Sequence, residues 1–201
     1  MISQEQYNKD NELISKAIEF AMKKHAAVIN DDGTIGQKRK GSNLPYIIHP
    51  MEVWQILRSN NCSVNVQIAG LLHDTMEDAA VTEDEIINAF GKEILSLVKS
   101  ESEDKSKSWK ERKQATIDSL ANESPEAMQV CCADKLSNCR AQYYDLLQIG
   151  DALFDRFNKE SDPGLQSWYY HGIVDALKPL EHMQMYQELK DVVNKVYPAA
   201  K

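Results

Sequence analysis

The stretch that most constrains this chain is Ile68-Ala69-Gly70-Leu71-Leu72, followed without a break by His73-Asp74-Thr75-Met76-Glu77-Asp78. An unbroken apolar run calls for burial on every side, and this one delivers four ionisable side chains to the place where it stops. If the run continues as a helix, His73 and Glu77 share one face, and Asp74 and Asp78 share the next, each pair one turn apart. Adjacent positions lie about 100° apart around a helix, so His73 and Asp74 can still converge on one ion. Burying an imidazole and three carboxylates beside two leucines is costly unless a cation or protons compensate them. The plainer alternative is a helix whose apolar face ends, and whose solvated face begins, at His73.

The rest of the chain reads as helix. Eight glycines and six prolines in 201 residues are few, which favours long helices over a many-turned β fold. No convincing strand, internal repeat or dividing linker is visible, so the expectation is an all-α, single-domain helical bundle over residues 1–201. No apolar run approaches ~20 residues and the N-terminus lacks a leader pattern, which predicts no membrane partner and a cytoplasmic setting. Four cysteines (Cys62, Cys131, Cys132, Cys139) show no metal-binding spacing, and reduced thiols are expected. The formal charge of −8 argues against nucleic acid as a partner. An anionic substrate would need a local basic cluster or a metal ion.

The pattern predicts a helix over residues 11–29, then a polar loop through Asn30-Asp31-Asp32-Gly33 to the cations Lys38-Arg39-Lys40. That run is either a solvated loop tip or an anion clamp. Pro50 should open the next helix, which places His49 at its cap. Ser63 can cap a helix running into His73, and Thr82 and Ser108 each begin a capping box, the first helix ending at Gly91 and the second near Ala121. Residues 101–107 read as a charged connector, exposed for most of its length. Ser124-Pro125 starts a helix whose apolar run ends at Asp134, with Asn138 one turn on. Further helices are expected over 151–158 and 164–177, the second carrying Trp168, Tyr169 and Tyr170 as core, and Pro179 precedes a last amphipathic helix.

Taken in order, His49, His73-Asp74 and Asp134 match the H…HD…D pattern of HD-domain metal-dependent phosphohydrolases. Gln37-Lys38-Arg39-Lys40 with Pro45-Tyr46-Ile47-Ile48-His49-Pro50 resembles the Q-x-R-K…P-Y-I-x-H-P segment of RelA/SpoT-type hydrolase domains. His73-Asp74-Thr75-Met76-Glu77-Asp78 is similar to their H-D-x-x-E-D, and Ala133-Asp134-Lys135-Leu136-Ser137-Asn138 to their A-D-[KR]-L-x-N. The resemblance covers about residues 13–180.

It implies a fold of the HD type and a small stand-alone enzyme that removes the 3′-pyrophosphate from the guanosine alarmones ppGpp and pppGpp, usually with manganese. It implies metal ligation by His49, His73, Asp74 and Asp134, and catalysis by Glu77 and Asp78. It also implies substrate contacts from Arg39, Lys40 and Asn138. Two imidazoles and two carboxylates leave an ion near zero formal charge with open positions, able to lower the pKa of a bound water and polarise a phosphoryl oxygen. Residues 26–36 depart from the pattern: they separate His25 from Gln37, where the family has two residues. That departure touches substrate identity, leaving other nucleotides (a deoxynucleotide or the 2′-phosphate of NADPH) and a non-catalytic nucleotide sensor as alternatives.

Overall fold

Helix starts follow the caps. In a computed structural model that describes residues 2–156 and 162–198, Ser3 accepts from the backbone of Gln6 and opens α1 (Gln4–Ala26). The helix begins earlier than its apolar rhythm. Its first two turns are solvent-facing and are held instead by pairs one turn apart: Gln4 to Asn8, Gln6 to Asp10 and Lys9 to Glu5.

The elements fall into two compact units, Met1–Ser102 and Glu103–Lys201. The first unit contains α1, α2 (Ile48–Ser59), α3 (Val64–Leu72), α4 (Thr75–Asp78), α5 (Glu83–Phe90) and α6 (Lys92–Lys99). Helix α3 is buried from Val66 to Leu72 and packs against α1, α2 and α6. Gly70 makes the α2 approach close: a Cβ there would lie 2.4 Å from Leu57 Cδ1 and 3.0 Å from Val53 Cγ1. Helix α6 is absent from the sequence expectations. It is short, and Gly91, with φ 94°, serves both as the C-cap of α5 and as the N-cap of α6.

The second unit contains α7 (Trp109–Leu120), α8 (Pro125–Ile149), a 3₁₀ segment (Gly150–Arg156), α9 (Pro163–Ala176), a 3₁₀ turn (Lys178–Leu180) and α10 (Gln184–Val196). Both expected capping boxes form, at Thr82 with Glu85 and at Ser108 with Glu111. The helix expected over 151–158 is 3₁₀ as far as Arg156, and residues 157 and 158 lie outside the described residues. Of the three aromatics expected as core, Tyr169 and Tyr170 are buried, with Tyr170 stacked on Tyr197 at 5.3 Å, and Trp168 is half-buried. The 101–107 connector is exposed for most of its length, as expected. Glu103 is tucked in, 17% exposed, against Lys113 at 2.5 Å and Arg112 at 3.7 Å.

No strand forms among the described residues, so the chain is all-α. Two isolated β-bridges, Ile29 with Ile35 and Lys38 with Pro45, pin the loop between α1 and α2. The four cysteines are free and buried, and burial pushes the Cys62 thiol up to about 11. Among the described residues, no helix is long and apolar enough to cross a membrane.

Candidate metal centre

His49 sits one residue inside α2, not at its cap, because the helix starts at Ile48. Pro50 is therefore the third helical residue. It is tolerated there because the first four N–H groups of a helix have no intrahelical acceptor. Helix α3 also departs from the continuous helix the sequence suggested. It stops at Leu72, the backbone turns through His73 and Asp74, and α4 resumes at Thr75. The Thr75 hydroxyl caps the freed Leu72 carbonyl at 2.7 Å. The expected spacing of the carboxylates survives the break, since the Asp78 N–H bonds to the Asp74 carbonyl at 2.9 Å. The His73–Glu77 face is not carried by one helix.

This turn brings His73 Nε2 to 3.2 Å from His49 Nε2 and 2.9 Å from Asp74 Oδ2, with His49 Nε2 at 3.6 Å from the same oxygen. Both histidines are 2% exposed. His73 Nδ1 faces the Gly70 carbonyl at 2.8 Å, and a carbonyl only accepts, so Nδ1 carries a proton and the lone pair of the neutral ring, the form that binds a metal, lies at Nε2. Tyr46 donates its hydroxyl to Asp74 Oδ2. His73 Nε2 thus faces a carboxylate oxygen and a second imidazole nitrogen, three ligand atoms all within 4.8 Å of one another. That donor set fits a borderline divalent cation of the transition series.

The family profile described as HD domain matches residues 17–140. The chain belongs to the HD-domain family. Within the family it is similar to the human guanosine-3′,5′-bis(diphosphate) 3′-pyrophosphohydrolase MESH1, 36% identical over 128 residues, or 62% of this chain and 66% of the human protein. The Xenopus tropicalis protein of that name is 35% identical over 66% of this chain and 71% of its own length. In three dimensions it resembles lmo0812 of Listeria monocytogenes, with TM-score 0.69, 34% identity, and coverage of 74% of this chain and 98% of that one. It also resembles a metazoan SpoT ortholog described as hydrolysing ppGpp, with TM-score 0.70, 26% identity, and coverage of 91% and 94%. HD-domain hydrolases imply a divalent metal, and His49, His73 and Asp74 offer a place for one.

Around these three, the HD-domain chain arranges a row of rings. Tyr46 packs at 5.7 Å from His49 and 4.9 Å from His25, and the Arg39 guanidinium lies 5.7 Å from its ring centre. Arg39 is half-buried, whereas Lys40 is exposed in the turn Arg39–Ser42, which Gly41 closes at φ 76°. Glu77 and Asp78 are half-buried in α4. Asp134 is buried in α8 of the second unit, where Lys135 pairs with it and the Asn138 side chain donates to Asp134 Oδ1 at 2.6 Å. Asn138 thus positions Asp134. Sequence reasoning gave no role to Tyr46, Gln37 or His25. The first two lie inside the quoted motif and the third at the edge of the 26–36 insertion, but their contacts join positions far apart in the chain.

Proposed function

We propose that this chain is a divalent-metal-dependent phosphohydrolase that removes the 3′-pyrophosphate from ppGpp and pppGpp, giving GDP or GTP and pyrophosphate, with manganese as its metal. The observation carrying this reading is the buried convergence of His49 Nε2, His73 Nε2 and Asp74 Oδ2. The printed activities of the human and metazoan relatives support the substrate. In this reading Asp134 keeps the ligand role its A-D-K-L-S-N motif implies, and residues 1–201 act as one domain. The 17–140 family match, which runs through the boundary between Ser102 and Glu103, supports that unity.

When bound, a divalent ion supplies Lewis acidity to a phosphoryl oxygen and acidifies a water. The protein side chains do the rest. Gly70 fixes the His73 tautomer and Tyr46 orients Asp74, so that ligand atoms are aimed before substrate arrives. Glu77 and Asp78 orient the attacking water and take its proton. Arg39, held over Tyr46, meets pyrophosphate oxygens with its planar fork, and Lys40 adds charge from the turn. The substrate and the buried thiols fit a cytoplasmic setting.

The test is a product assay on purified protein with manganese or magnesium, offering ppGpp, pppGpp, GTP, dGTP and NADPH separately. The expected result is pyrophosphate release from ppGpp and pppGpp, faster with manganese. Release of single phosphate from NADPH, or of triphosphate from dGTP, with ppGpp untouched would reassign the substrate. Binding of ppGpp without turnover of any of the five would make the chain a sensor.

A further inference from the structure

His25, buried to 2% exposure at the end of α1, lies outside the ligand set and outside the proposed catalytic pair. Its Nδ1 is 2.6 Å from Gln37 Oε1, and Gln37 Nε2 donates to Asp78 Oδ2 at 2.9 Å. An amide oxygen accepts and an amide nitrogen donates, so the direction of the chain is determined. His25 Nδ1–H donates to Gln37, and Gln37 N–H donates to Asp78. In the neutral ring Nε2 then carries no proton, and that atom is buried without a hydrogen-bond partner. Burial, the largest influence, lowers the His25 pKa below its usual value, with the Gln37 bond acting the other way.

The eleven-residue excursion between these partners does not separate them. Gln37 N–H bonds to the His25 carbonyl at 3.0 Å and Gly36 N–H to that of Val28 at 2.8 Å, while Asn30 reaches Thr34 and Gly36 with its side-chain amide. The hairpin leaves and returns at one point. Gln37 and Asp78 then line one cleft of about 550 Å³ together with the hairpin residues Val28 to Asp32. The relay ends where a ligand has room.

From this geometry we infer that His25 and Gln37 are positioning residues of the hydrolytic reaction: His25 fixes the orientation of the Gln37 amide, so that Gln37 presents an N–H to Asp78 and holds its carboxylate aimed as a proton acceptor. The inference rests on the catalytic reading of Asp78. A buried imidazole with one unmet nitrogen is costly to retain in a purely structural role, where an apolar side chain of similar volume serves better. Gln37 cannot orient itself: with its amide reversed it would turn an oxygen toward the Asp78 carboxylate, and His25 Nδ1–H forbids that reversal.

Two measurements test this. In the metal-free protein, ¹⁵N shifts of the His25 ring should report a protonated Nδ1 and a bare Nε2 at neutral pH; the opposite tautomer overturns the relay, whatever the activity. In ppGpp turnover with manganese, Gln37→Glu sets an acceptor against Asp78 and His25→Leu removes the donor. Each should lower kcat at least about tenfold, with KM within about twofold and manganese content unchanged. His25→Asn keeps an N–H where Nδ1 stood and should recover most of kcat, which a simple packing defect would not show. In an Asp78→Asn background, the Gln37 and His25 substitutions should have no further effect. Full kcat in Asp78→Asn alone would remove the catalytic reading of Asp78. A large loss in Asp78→Asn, with Gln37→Glu and His25→Leu silent, would overturn the relay and leave that reading standing.

Discussion

The two units hold their key carboxylates in different settings, Asp74 half-buried and Asp134 buried. In the first, Asp74 finds its partners on other segments: Tyr46 before α2, His49 within it, and its neighbour His73 turned inward by Gly70. In the second, Asp134 is held by residues of its own helix, one and four positions on. Partners one and four positions on travel with their carboxylate as the helix moves. A carboxylate that shares its site with two imidazole nitrogens from separate segments is completed by a cation, and that links a metal site to the fold around it.

The sharpest way to break the comparison is to remove one partner on each side. His73→Ala or Asp74→Ala should abolish stoichiometric manganese binding and turnover while the helical circular dichroism persists. Asn138→Ala, which loosens Asp134 alone, should lower turnover only about tenfold, the order of one hydrogen bond. Elemental analysis beside turnover numbers decides it; manganese retained in both ligand variants would end the metal assignment.

Next in size is substrate contact. Arg39 is anchored over Tyr46 while Lys40 stands in solvent, so the two cations should not be equivalent. Arg39→Ala should raise KM for ppGpp roughly ten- to hundredfold, as expected for a charge-assisted contact of about 1.5–3 kcal/mol. Lys40→Ala should raise it by less than about threefold. Equal KM values across the wild type and both variants would reduce the run to a solvated loop tip.

Packing offers a smaller contrast. A methyl at Gly70 meets Leu57 and Val53, both fully buried, whereas one at Gly172 in α9 meets Ile117 Cδ1 at 2.6 Å, on a half-buried side chain that can move. Gly70→Ala should therefore destabilise by about 1–3 kcal/mol and weaken manganese binding through His73, and Gly172→Ala by less and without touching metal affinity. Denaturant titration with and without manganese separates the two; equal losses would mean that the α2–α3 contact does not position the ligands.

The smallest effect concerns the two capping boxes. Glu85 is held down to about 2, first by its bond to Lys24 and then by the Thr82 backbone. Glu111 is lowered by the Ser108 side chain and backbone. A depressed carboxylate stabilises the fold above its unfolded value, near 4.5, and that contribution fades as the pH falls from there toward 2. Glu85→Gln should thus flatten the acid-side fall of Tm over that window, and more than Glu111→Gln does. The reverse order would show that the Lys24 pair contributes nothing.

Much of this was legible locally. Ser63, Thr82, Ser108 and Ser124-Pro125 start their helices where side-chain chemistry says they must, because a cap is decided within four residues. The ordered H…HD…D residues likewise stand in the sequence. The bend at His73-Asp74 did not, since the hydrophobic rhythm runs on to Met76 while the backbone turns. The polar start of α1 carries no rhythm at all, and α6 shares one glycine with its neighbour. The His25–Gln37–Asp78 chain was out of reach because its last link spans 41 residues.

The hairpin between His25 and Gln37 also separates chain length from site geometry. Its ends are clamped to each other by main-chain bonds, so a change of length between Val28 and Gly36 leaves Gln37 in place and alters the wall that Val28 to Asp32 give to the cleft. Doubling a flexible loop costs only about 0.6 kcal/mol in closure entropy. This is accordingly a place where a relative can change length without displacing the Gln37–Asp78 link, while reshaping what the cleft admits. A tag or a reporter grafted here belongs beyond Asp32, off the wall of the cleft.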